Sequence, residues 1–205
     1  NHAEAVVEDK GETDFTNMIG YNFRLTEIQA AIGREQLKKL KGLVEKRIKN
    51  CEYIANALGQ IPGITVPKTR KGARHVYYMH AFRFDERQIG ITRTLFLNAV
   101  KAELPATKTR EDEGPLVSGG YVKPLYLMPL FQKRTGFGRT HYPFNEPGAN
   151  AISYSKGICP VAERMHEQEI FFHDMMHAGI TKKDMDDVIA AFRKVYEHRH
   201  EINLR

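Results

Sequence analysis

The chain has no tryptophan, only two cysteines, and no uninterrupted apolar run approaching the roughly 18 residues that a membrane-spanning helix needs. A membrane-spanning helix is therefore excluded. Cys51 and Cys159 stand far apart, in neither a metal-ligand nor a redox spacing. Two reduced, buried thiols are expected, in a protein of the cytoplasm. The sequence opens Asn-His-Ala, with neither an initiator Met nor a charged-then-apolar leader, and is expected to be a fragment. Sustained internal repeats are also lacking.

What is present is enough for a globule. The 205 residues are 41% hydrophobic and 27% charged, which suffices for a real core. The net charge of +6 permits phosphate-bearing partners without naming one. Basic residues such as those of "KKLKGLVEKRIKN" alternate with apolar ones at helical spacing, as on a solvated helix face.

From Thr26 the apolar positions Ile28, Ile32, Leu40, Val44, Ile48, Cys51, Ala55 and Leu58 fall on one helical stripe. Thr26 with Gln29 forms a capping-box signature, and Gly59 with Pro62 supplies the stop. Such a helix is on the order of 50 Å long, more than a small domain needs internally, so it is expected to connect two bodies. "HVYYMHAFRF" (75–84) has the aromatic content of a strand. Thr92 opens a shorter helix that Pro105 ends, and residues 106–157 read as a substrate-facing loop region. "CPVAERMHEQ" is a short helix with Pro160 in its first turn, and "EIFFH" a second strand. Thr181 and Asp184 start a last helix buried along Met185, Val188, Ile189, Phe192 and Val195. The element order gives a small α+β domain behind a long helix.

Several clusters carry chemistry. Asn22 and Arg24 precede a helix start, where unpaired N–H groups and the macrodipole favour an anion. They serve a phosphate there or merely cap and solvate the helix. "YVKPLYLMPLF" offers Lys123 and Tyr126, a cation and a phenol beside an apolar stretch, a mixture suited to a hydroxylated substrate. Tyr126 could equally pack into the domain core. "HDMMH" puts His173 and His177 four apart, near His166, but without the glutamate of the zinc-protease motif, and the favoured reading is surface or hydrogen-bonded histidines, with no metal. The basic run "KTRKGARH" lacks a nucleic-acid motif around it and reads as a solvated loop, so neither nucleic acid nor membrane is an expected partner.

"GYNFRLTEIQAAIGREQLKKL" resembles the G-x-N-x-R-[LM]-x-E-x-Q-A-A signature of the DegT/StrS family of sugar aminotransferases, which depend on pyridoxal 5'-phosphate (PLP). "GITRTLFLNAVKAE", "GGYVKPLYLMPLFQK", "KGICPVAERMHEQE" and "TKKDMDDVIAAFRKV" continue the likeness in order, leaning towards members that act on keto-cyclitols or keto-sugars. "KAELPA" departs from it, since the family more often has a glycine after that glutamate.

The resemblance implies the C-terminal small domain of a type I, aspartate-aminotransferase-like enzyme. Residues 1–25 would be a remnant of the large-domain region, 26–59 the connecting helix and 60–205 the small domain. It implies a homodimer in which Asn22, with Arg24 in support, reaches the PLP phosphate of the neighbouring subunit. Lys123 and Tyr126 would face the substrate; many relatives place a histidine or another polar residue at the position of Tyr126. The family's cofactor-binding lysine lies upstream of the signature, and Lys10, in "VEDKGE", does not match its motif. No catalytic residue is therefore expected within this chain. The missing N-terminal large domain would complete an enzyme that moves an amino group from glutamate or glutamine to a keto-sugar or cyclitol, the fragment alone being inactive. The alternative is a stand-alone, non-catalytic interaction module with the same fold.

Overall fold

A computed structural model describes residues 25–105, 117–121 and 123–202. They fall into two compact units, one formed by residues 26–105, 117–120 and 167–202, the other by Leu25 with residues 121 and 123–166.

The first unit opens with α1 (Glu27–Leu58). Its start is locally determined. The Thr26 hydroxyl accepts from the Gln29 amide at 3.3 Å, and the Gln29 side chain accepts from the Thr26 amide at 2.9 Å, so two otherwise orphaned donors are satisfied reciprocally. The expected apolar stripe divides into two regimes. Ile28, Ile32 and Leu40 are 75%, 57% and 50% exposed, whereas Cys51 and Leu58 are fully buried, together with Ile54, which the expected stripe does not include. Among the described residues, only the C-terminal turns of α1 are anchored in this unit's core.

The sheet comprises β1 (Ile64–Thr65), β2 (His80–Phe84), β3 (Val117–Gly119) and β4 (Ile170–His173), all antiparallel in the order β1-β2-β4-β3. His80 lies opposite His173 and Phe82 opposite Phe171. Period-two alternation sends His80, Phe82 and Phe84 inward and leaves Arg83 exposed. The inward rings meet α3 (Arg93–Glu103) and α6 (Lys182–Glu197) in one aromatic cluster. Phe82 stacks on Phe171 at 5.2 Å, Phe171 on Phe192 at 5.7 Å, and Phe84 meets Phe96 at 5.2 Å. Each such pair contributes about 0.5–1.5 kcal/mol beyond its buried area. Two short helices, α2 (Glu86–Ile89) and α7 (Arg199–Ile202), complete the unit.

Arg93, the first residue of α3, ties the helix to the sheet. Its guanidinium donates to the carbonyls of Ile170 and Glu167, each at 2.7 Å. Gly119 is what lets it pass, since a Cβ there would lie 2.6 Å from Arg93 Nε.

Four expectations need correction. Residues 75–79 do not join the strand: Tyr77 has φ 53°, and its amide donates to His75 Nδ1 at 2.8 Å, so the chain turns before it extends. The region expected as loop includes β3, whose pairing with β4 is a long-range contact that no local pattern announces. Cys159 is exposed, because it forms the N-cap of the short helix α5 (Pro160–Arg164) in a surface turn; only Cys51 is buried. His173 is neither at the surface nor fully hydrogen-bonded, as it closes β4 inside the sheet.

Candidate functional site

The Tyr121–His166 unit has little regular structure. It contains a 3-10 turn (Leu125–Leu127), α4 (Pro129–Gln132), a second 3-10 turn (Ala149–Ala151) and α5, followed by a π-helical turn (Met165–Glu169). Side chains bonded to backbone do the work that a ladder of hydrogen bonds does elsewhere. Gln132 Nε2 donates to the carbonyls of Tyr126 (2.8 Å) and Tyr154 (2.7 Å). Arg134 holds a left-handed backbone, φ 52°, while its guanidinium donates to Ala149 (2.8 Å) and Ile152 (2.7 Å) and lies 5.5 Å over the Tyr154 ring. Phe131, Phe144 and Tyr154 form a small aromatic centre.

Of the residues singled out in the sequence, Lys123 is exposed, just before the first 3-10 turn, and Tyr126 is half-buried on it. The Tyr126 hydroxyl donates to a Glu163 carboxylate oxygen that also accepts from the amides of Gly157 (2.7 Å) and Cys159 (3.4 Å). The Tyr126 hydroxyl foremost, then the Gly157 amide, hold the Glu163 carboxyl below the ordinary carboxylate range, so it is ionised at neutral pH. Tyr126 is thus fixed at both ends, its carbonyl by Gln132 and its hydroxyl by Glu163. Sequence reasoning did not single out Glu163, Gln132 or Arg134. The one available signal was an acid three residues after Pro160, which looks like an ordinary first-turn carboxylate.

Asn22 and Arg24 lie outside the described residues. Downstream of them the Thr26–Gln29 capping box already takes the amides of both its members. As residue types, an amide with a guanidinium is a donor set that fits a phosphate.

His173 and His177 do not converge. His177 gives its carbonyl to Asn50 Nδ2 at 3.1 Å, while the His173 ring lies 4.7 Å from that of His80. Among the described residues, no group of three His, Cys, Asp or Glu side chains is placed to hold a metal ion.

The DegT/DnrJ/EryC1/StrS aminotransferase family model matches residues 2–146. The chain belongs to this family. Among its DegT relatives, the L-glutamine:2-deoxy-scyllo-inosose aminotransferase of Streptoalloteichus tenebrarius is 30% identical over 90% of this chain and 41% of its own length. The spore coat polysaccharide biosynthesis protein SpsC of Bacillus subtilis is 26% identical over 86% of this chain and 38% of its own. A DegT DnrJ EryC1 StrS aminotransferase from Brucella abortus shares the fold, with a TM-score of 0.57 at 24% identity, over 95% of this chain and 42% of that one. The chain thus spans about two fifths of the length of the DegT relatives it matches.

Proposed function

We propose that this chain is the C-terminal part of a PLP-dependent aminotransferase that moves an amino group from L-glutamine or glutamate to a keto-cyclitol or keto-sugar, in the assignment 26–59 connecting helix and 60–205 small domain. One observation carries the reading: relatives named for amination of scyllo-inosose or 2-deoxy-scyllo-inosose by glutamine match along about nine tenths of the chain, including the Tyr126 segment. PLP, when bound, supplies the electron sink for amino transfer. This chain's part is to bind and orient. Asn22, supported by Arg24, would hold the cofactor phosphate of a neighbouring subunit, and Lys123 and Tyr126 would meet the amino acceptor. The bare N-terminal half of α1 supports a missing large domain, since five or more exposed leucines and isoleucines on one helix call for a covering surface.

The test uses the full-length protein, including the residues upstream of Asn1, with PLP and L-glutamine. Offered 2-deoxy-scyllo-inosose, scyllo-inosose and a nucleotide-linked keto-sugar, it is expected to yield the corresponding amine from at least one, seen by mass spectrometry. Absence of amine from all three would refute the reading.

A further inference from the structure

Tyr126 owes its placement to a carboxylate three dozen residues away. Glu163 is only 8% exposed, and one of its oxygens gathers the Tyr126 hydroxyl with the amides of Gly157 and Cys159. The turn it closes is tight: Gly157 has φ 104°, in the left-handed region that side-chain-bearing residues avoid. An ionised carboxylate is acceptor-only, so the hydrogen bond to Tyr126 has one direction, with the phenol as donor. The phenol has a single proton, and that proton is committed to Glu163. Whatever else the oxygen meets, it meets as an acceptor.

We infer that Glu163 is a positioning residue that sets the polarity of the Tyr126 hydroxyl, so that the ligand group recognised by Tyr126 is a hydrogen-bond donor, a hydroxyl of the amino acceptor. This rests on the proposed role of Tyr126 in acceptor binding and adds to it a rule for which analogues bind. A carbonyl or ether oxygen at that point faces the lone pairs of the phenol and is rejected. A hydroxyl is accepted. Sites built around a ligand hydroxyl discriminate strongly against analogues lacking it, because the protein's own polar group is left unpaired.

The test measures binding by calorimetry to the full-length, PLP-loaded protein, with scyllo-inosose and its singly deoxygenated and singly O-methylated analogues as probes. At one ring position, both the deoxy and the O-methyl analogue are expected to bind roughly tenfold more weakly than the parent. Tyr126→Phe should erase that difference. Glu163→Leu is the decisive variant, because it removes the acceptor and so releases the phenol proton to the ligand, whereas a glutamine would keep its Oε1 on the Gly157 and Cys159 amides and still accept from the phenol. The O-methyl analogue should then regain affinity while the deoxy analogue does not, a reversal that mere loosening of the turn cannot produce; a thermal melt confirms that the variant is folded. Equal binding of all analogues, persistence of the penalty in Tyr126→Phe, an unchanged O-methyl penalty in folded Glu163→Leu, or no binding of any cyclitol would overturn the inference. Amination of a nucleotide-linked keto-sugar in that last case would leave the proposed activity standing. Binding with the expected pattern but no amination would refute the activity and uphold the inference.

Discussion

At the scale of single residues, the most unusual pair is buried in the sheet. His80 and His173 face each other across β2 and β4, both essentially inaccessible, and both nitrogens of His80 and Nε2 of His173 have no hydrogen-bond partner among the described residues. Burial foremost, and the neighbouring His75, push His80 down to about 4; burial and His80 push His173 well below the ordinary histidine range. The folded chain therefore refuses protons that the unfolded chain binds below about pH 6.5, so stability rises with pH through this window. It should be fully present above pH 6.5 and fall as pH drops towards 4, with His80 alone accounting for on the order of 3 kcal/mol. Denaturant melts from pH 7.5 to 4 would check this, and His80→Phe, which also removes two unpaired polar atoms from aromatic surroundings, should flatten the slope. A second residue-scale prediction concerns Asn22. On the proposed reading, Asn22→Ala in the full-length protein should weaken PLP binding roughly ten- to a hundred-fold with the fold intact, one charge-assisted bond being worth about 1.5–3 kcal/mol. If the contact is made across a dimer, mixing this variant with one lacking the cofactor-binding lysine should restore some activity. A simple loss of thermal stability, with cofactor affinity unchanged, would reduce Asn22 to a helix-start residue.

At the scale of elements, local signals were legible and long-range ones were not. Thr26 with Gln29 and Thr181 with Asp184 both form the capping boxes that their spacing announces, because a cap needs only its own turn. The buried stripe of α6 matches its sequence period for the same reason. β1 has two residues and β3 three, too short for any period, and each exists only because a neighbouring strand supplies its partners. The proposed site divides in the same way: Lys123 and Tyr126 stand out in the sequence as residue types, whereas the hydrogen bond between Tyr126 and Glu163 depends on a fold that brings distant positions together. The divided burial of α1 gives a prediction of its own. In this chain by itself, amides between about Ala30 and Leu43 should exchange with solvent orders of magnitude faster than those from Cys51 to Leu58, since short helical stretches without packing are marginal in water. Thr26→Ala should cost the N-terminal half about 1 kcal/mol and deepen the contrast. Uniform protection along α1 would contradict this picture.

At the scale of the whole molecule, the chain carries a finished core and an unfinished exterior. Ile54, Leu58, Phe82, Phe96, Phe171 and Phe192 close one interior, while Leu25, Ile28, Ile32, Leu37 and Leu40 remain exposed. The 205-residue chain should therefore fold yet self-associate as its concentration rises, and sedimentation should show species above the monomer. Adding the upstream part should abolish that self-association or convert it to a defined dimer; a strict monomer at high concentration would count against the covering role of the stripe. The anchoring of α1 has a mechanical consequence. Among the described residues, the fully buried side chains of this stiff 32-residue rod lie near its last turns, which makes it a lever with its fulcrum among Cys51, Ile54 and Leu58. With a free arm of about 35 Å, a tilt of about 5° at the fulcrum carries the far end roughly 3 Å. Packing changes at Leu58 too small to disturb the sheet would thus be magnified at Thr26, and the precision of the capped helix start would be decided at the opposite end of the helix.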